Sequence, residues 1–135
     1  DVEIVKFDQA RVSVVSAESN TTLTMLVADT FERRTRGLMH RSWLPVNTGM
    51  IFAFPAVTTT PFWNRDTPMS LDIAFLNEDG IILEILALEA LSTDLVAPEE
   101  PYLYAVELPL GWFAAENISR GDRFQIPDQI VGSAE

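Results

Sequence analysis

Two acidic side chains interrupt strand-like apolar runs. Asp72 stands in Leu71-Asp72-Ile73-Ala74-Phe75-Leu76, and Glu107 stands in Ala105-Val106-Glu107-Leu108. A carboxylate in a buried strand is costly unless it is paired or hydrogen-bonded. Two chemistries could use such groups. Two carboxyls about 5–9.5 Å apart, one with a raised pKa, can serve a hydrolase as acid and as base or nucleophile. Carboxylates beside an indole can instead bind a sugar or another hydroxyl-rich small molecule. The acids accept hydroxyl hydrogen bonds, and the indole covers an apolar ring face. Trp63 and Asp66 precede Asp72 in Phe62-Trp63-Asn64-Arg65-Asp66-Thr67. The candidate ligand-binding residues are therefore Trp63, Asp66, Asp72 and Glu107.

A structural role competes with both. Arginine's planar fork pairs with carboxylates in two parallel hydrogen bonds. Arg36, Arg41 and Arg65 are the candidates, and Asp72 is expected to take Arg41 or Arg36, with Arg65 next. The chain would then be a structural or protein-interaction domain. In that reading the Trp63 segment and the acidic loop Thr93–Pro101 face a protein partner.

Other chemistries have less to build on. With no cysteine there is no disulfide and no thiolate. His40 is the only histidine, and no Gly-x-Ser-x-Gly turn accompanies it. Met39, Met50 and Met69 are soft donors beside His40, but core packing accounts for methionines of this kind. No metal and no cofactor are expected, and binding without catalysis is favoured.

The elements that must carry these residues are mostly short strands. Val2–Phe7, Arg11–Ala17, Thr22–Ala28, Met50–Phe54, Leu71–Leu76, Ile81–Leu88, Ala105–Leu108 and Arg123–Ile126 are rich in β-branched or aromatic residues or alternate in polarity. Asn77-Glu78-Asp79-Gly80 reads as a hairpin turn. Asp29, with Glu32 three residues on, resembles a capping box for a helix ended by Gly37, and a shorter helix is expected over Gly111–Glu116. Pro55 and Pro61 make the stretch between them an edge or a bulge. Alternation puts Asp72 with Ala74 and Leu76, Glu107 with Ala105, and Gly49 with Ile51 and Ala53. Joining these three smaller faces would place Asp72 and Glu107 over one pocket, with Trp63 at its mouth.

The 135 residues form a single domain, 1–135, with an all-β architecture and one or two short helices: a jelly-roll-like β-sandwich or a partly open β-barrel. A formal charge of −11 argues against unaided binding to nucleic acid or anionic lipid. The longest apolar run, Ile81 to Leu91, contains Glu84 and Glu89 and is no membrane span. The chain opens on Asp1 without a methionine, as a mature form does after loss of a leader, so an extracytoplasmic location is expected. The oligomeric state is left open.

Five motifs occur in an order that resembles a bacterial and archaeal family, the domain of unknown function family 192. They are Gly37–Arg41, Gly49–Phe54, Phe62–Leu76, Val106–Gly111 and Asn117–Asp122, and the resemblance runs from about residue 26 to residue 126. The family pattern at the third motif keeps Phe62, Trp63, Thr67, Leu71 and Asp72. Asn64, Asp66 and Ser70 stand where the family more often has methionine, asparagine and proline, and Arg65 stands for lysine. The resemblance implies a compact β-rich, jelly-roll-like domain, often behind a leader, and no established activity, substrate or cofactor.

Overall fold

The computed structural model describes residues 4–135, and the chain folds as one curled, seven-stranded sheet. In chain order the elements are β1 (Asp8–Val15), β2 (Asn20–Ala28), α1 (Phe31–Arg36), β3 (Thr48–Thr58), β4 (Leu71–Leu76), β5 (Ile82–Leu88), β6 (Tyr102–Pro109), α2 (Trp112–Ala115) and β7 (Arg123–Gln125). The spatial order is β5-β4-β6-β3-β2-β1-β7. The all-β expectation holds, and the partly open barrel describes it best. The curl brings the two edge strands toward each other, with Ile81 bridging Arg123 and Phe124 N donating to Gly80 O at 2.9 Å.

β2 and β3 run parallel, and every other strand pair is antiparallel. A parallel pair cannot be joined by a tight turn. The connection, residues 29–47, therefore carries α1 and a corner across one face of the sheet. Asn77–Gly80 makes the β4–β5 hairpin as expected. Gly80 has φ +80°, and a Cβ there would stand 2.1 Å from Phe124 O, so only glycine fits.

Two apolar clusters line the two faces. The inner one draws on all seven strands, including Val14, Leu23, Ile51, Ala74, Ile82, Val106 and Phe124, and α2 adds Phe113 to it. The outer one holds Met50, Phe52, Leu71, Ile73, Phe75, Tyr102 and Ala105, under the α1 corner and the loops before β4 and β6. No helix is long and apolar enough to cross a membrane among the described residues.

Two local expectations shift. Thr30, not Asp29, caps α1: its Oγ1 accepts from Arg33 N at 3.1 Å. Asp29 instead pairs with the Arg33 guanidinium at 2.9 Å, so its carboxylate serves as a counter-ion. Of the strand expected over Val2–Phe7, Val2 and Glu3 lie outside the described residues, and Ile4–Phe7 is not in a strand.

Candidate functional site

A cavity of about 870 Å³ opens on the outer face of the sheet. Its floor comes from the paired strands β3 and β6, its near wall from α1 and the corner after it, and its far wall from Pro61–Thr67. The last few residues close one side, where Ala134 reaches the lining.

Strand register decides what the floor presents. Glu107 sits opposite Met50 on β3 and Ile73 on β4, so all three point to the outer face. Glu107 is 4% exposed, lines the cavity, and has no hydrogen bond or ion pair from its carboxyl among the described residues. Burial raises its pKa from 4.5 to about 8, so the group is a neutral acid at pH 7 and can donate as well as accept.

Asp72 lies elsewhere. Its cross-strand partners are Leu108 and Ala87, which places it on the inner face with Ala74 and Leu76. There its carboxylate accepts from Gly111 N at 2.8 Å, at the start of α2. The pocket expected to hold Asp72 and Glu107 together does not form, and this pair cannot flank one scissile bond. Alternation within each strand is as expected. The β4–β6 register, which sets Asp72 against Leu108 rather than Glu107, puts the two acids in opposite phase.

The arginine expectation also changes. Arg36 lines the cavity and Arg41 is exposed, and neither forms an ion pair among the described residues. Arg65 lies 3.7 Å from Asp66 and stacks its guanidinium 5.5 Å from the centre of the Trp63 ring. Among the described residues no arginine pairs with Asp72, because the three candidates belong to the outer-face loops and the corner, and Asp72 faces inward.

Trp63, Arg65 and Asp66 together form the rim, with Trp63 42% exposed. Asn64, between them, points the other way and is buried. Its Nδ2 donates to Met69 O and Glu89 O, both at 2.9 Å, and its backbone N donates to Ser92 O at 2.9 Å. Phe62 and Val96 exchange backbone bonds at 2.7 and 2.8 Å. The Trp63 loop is thus held firmly on one side and presents its rim on the other. A further bond, His40 N to Asp66 O at 2.7 Å, ties the rim to the α1 corner. Both residues of that bond have positive φ, 68° and 57°, a local strain that the surrounding contacts hold in place.

Several site residues had not been singled out. Phe52, Phe54 and Phe62 line the cavity, joined by edge-to-face contacts at 4.9 and 6.2 Å. Tyr102 packs beneath them and donates its hydroxyl to Thr60 O, and burial pushes its pKa up. Arg34 donates to Ala53 O at 3.0 Å and Ser133 O at 2.7 Å and lies 5.2 Å from the centre of the Phe54 ring. Desolvation lowers its pKa, and it fixes the chain end against the site. The aromatic content of Met50–Phe54 and the flanking prolines pointed toward the phenylalanines. Nothing local marked Arg34 out from its neighbours. Met39 lines the cavity, Met50 and Met69 belong to the outer core, and no cluster of three metal-binding side chains forms among the described residues.

The model of one protein family, described as uncharacterized ACR, matches residues 12–126. The chain belongs to the DUF192 family. Among solved structures, a candidate transcription regulator from Sinorhizobium meliloti is similar to this DUF192 chain at 29% identity and a TM-score of 0.87, over 91% of this chain and 97% of that one. A protein of unknown function from Novosphingobium aromaticivorans is similar at 26% identity and a TM-score of 0.83, over 87% and 85%. No curated protein matches the chain.

Proposed function

We propose that this DUF192 domain is a non-enzymatic binding module for a small molecule, seated in the outer-face cavity with Trp63 at the rim and Glu107 at the floor. The single observation that carries the reading is Glu107. Glu107 is almost wholly buried and has no protein partner, yet its carboxyl is not sealed in the core: it is reached from a cavity of about 870 Å³, inside the range typical of ligand sites. Three phenylalanines supply an apolar wall, and Glu107 supplies one placed polar group. Such a site suits a ligand with an apolar ring face and at least one hydroxyl or carbonyl. A sugar ring meets that description, as do other cyclic oxygenated metabolites.

Regulation of transcription by direct DNA contact, the role that the description of the Sinorhizobium protein suggests, finds little support in a chain of formal charge −11. The test is a thermal-shift screen against glycans and cyclic metabolites. A ligand at about 100 times its dissociation constant adds about 2.7 kcal/mol, which raises Tm by several degrees. The shift should shrink in Glu107→Leu. A screen in which no compound shifts the protein would sink the proposal.

A further inference from the structure

We infer that the cavity selects carboxylic acids: a monoanion whose carboxylate meets Arg36 at the mouth, whose apolar body lies on Phe52, Phe54 and Phe62, and whose far end carries a carbonyl or hydroxyl for Glu107. This rests on the ligand-cavity reading and narrows it to one chemical class.

Charge makes the case. The domain as a whole is strongly acidic, yet the charged groups of this lining are Arg34, Arg36, Arg65, Asp66 and Glu107. Arg34 is occupied by two backbone carbonyls, and Arg65 by Asp66 and the Trp63 ring. Glu107 is neutral at pH 7, so the lining carries three cations against one anion. Of the three guanidinium groups, that of Arg36 alone has no hydrogen bond, ion pair or ring contact among the described residues. It is half-buried at the end of α1, on the cavity wall. A guanidinium left open in a partly desolvated site is a forked donor for a carboxylate. A cation at the mouth and an uncharged acid at the floor, separated by aromatic rings, ask for opposite ends of one molecule. A neutral sugar would satisfy the floor and leave the mouth without a partner.

The probes are 4-acetylbenzoate and its homologues (4-acetylphenyl)acetate and 3-(4-acetylphenyl)propanoate. They are compared with their methyl esters and with analogues carrying isopropyl in place of acetyl. Isothermal titration is run at about pH 6.5, where the probes are ionised and a desolvated carboxyl is not. At least one acid should bind, and its ester should bind roughly tenfold or more weakly, the scale of one charge-assisted hydrogen bond. Arg36→Gln should erase the difference between acid and ester. Glu107→Leu should erase the preference for acetyl over isopropyl, and Glu107→Gln, which keeps a donor, should retain it. Acids and esters binding equally to the unmodified chain would overturn the inference and leave the cavity reading standing. So would binding of neutral glycans in the absence of any acid. If no probe, glycan or metabolite binds, both readings fall together.

Discussion

Glu107 makes a quantitative demand on stability. In the unfolded chain its carboxyl titrates near 4.5, and in the fold burial holds it to about 8. Below pH 4.5 both states carry the proton and the group is neutral in its effect. Between the two values the folded state keeps the proton and the unfolded state has released it. Each pH unit in that window therefore lowers unfolding free energy by about 1.4 kcal/mol. Above pH 8 both states are ionised and the loss stays constant. Across the window the total is on the order of 5 kcal/mol, a large share of the roughly 5–15 kcal/mol that holds a domain together. Glu107→Gln removes the titration and keeps the shape. Urea unfolding of both proteins, followed by tryptophan fluorescence from pH 5 to 8.5, isolates the effect, because every other titrating group cancels in the difference. The Gln variant should gain on the parent steadily as pH rises, and the gain should level off near pH 8. A difference that stays flat across that range would mean the cavity solvates the carboxylate freely, and the argument for a desolvated acid at its floor would fail.

Two other substitutions separate scaffold from site. Asn64→Ala should cost about 2–4 kcal/mol, because it removes a buried amide that makes two 2.9 Å bonds to part-buried carbonyls and frees the loop under Trp63; a loss below about 1 kcal/mol in urea unfolding would contradict that role. Asp72→Asn should cost no more than about 1 kcal/mol in the same assay, since the amide oxygen can still accept from Gly111 N; a loss of several kcal/mol would show that a buried cation depends on it.

Much of the fold was legible because its signals are local. The hairpin at Asn77–Gly80, the helix ended by Gly37 and the register irregularity of β3 between Ala53 and Thr58, beside Pro55, each follow from a few neighbouring residues. So does alternation within a strand. The relation between strands is a long-range property, and there the reading went astray. Asp72 and Glu107 each fall in the expected strand, but register places Glu107 opposite Ile73, one residue from the pairing that a shared pocket would need. A shift of one residue exchanges faces. Arg36 was reachable from the density of arginines around α1, and Trp63 from its motif. Asn64 was not: a buried amide and an exposed one look alike until the carbonyls of Met69 and Glu89 are seen around it. The helix cap shows the same limit at short range. Thr30 and Asp29 are both good capping residues, and the choice fell to the guanidinium of Arg33, which claims the acid.

The one parallel pair has a consequence for how such sites diversify. Because β2 and β3 run the same way, residues 29–47 must travel over the sheet, and that traverse supplies Arg34, Arg36, Leu38 and Met39 to the cavity. Its two ends are fixed by ladder hydrogen bonds, whereas its length and contents are free to change between them. Lengthening or exchanging this span would resize and recharge the cavity while every strand keeps its partner. Grafting crossovers of different length onto an unchanged sheet is thus a direct route to cavities of different size and charge, with Glu107 left in place as the constant floor.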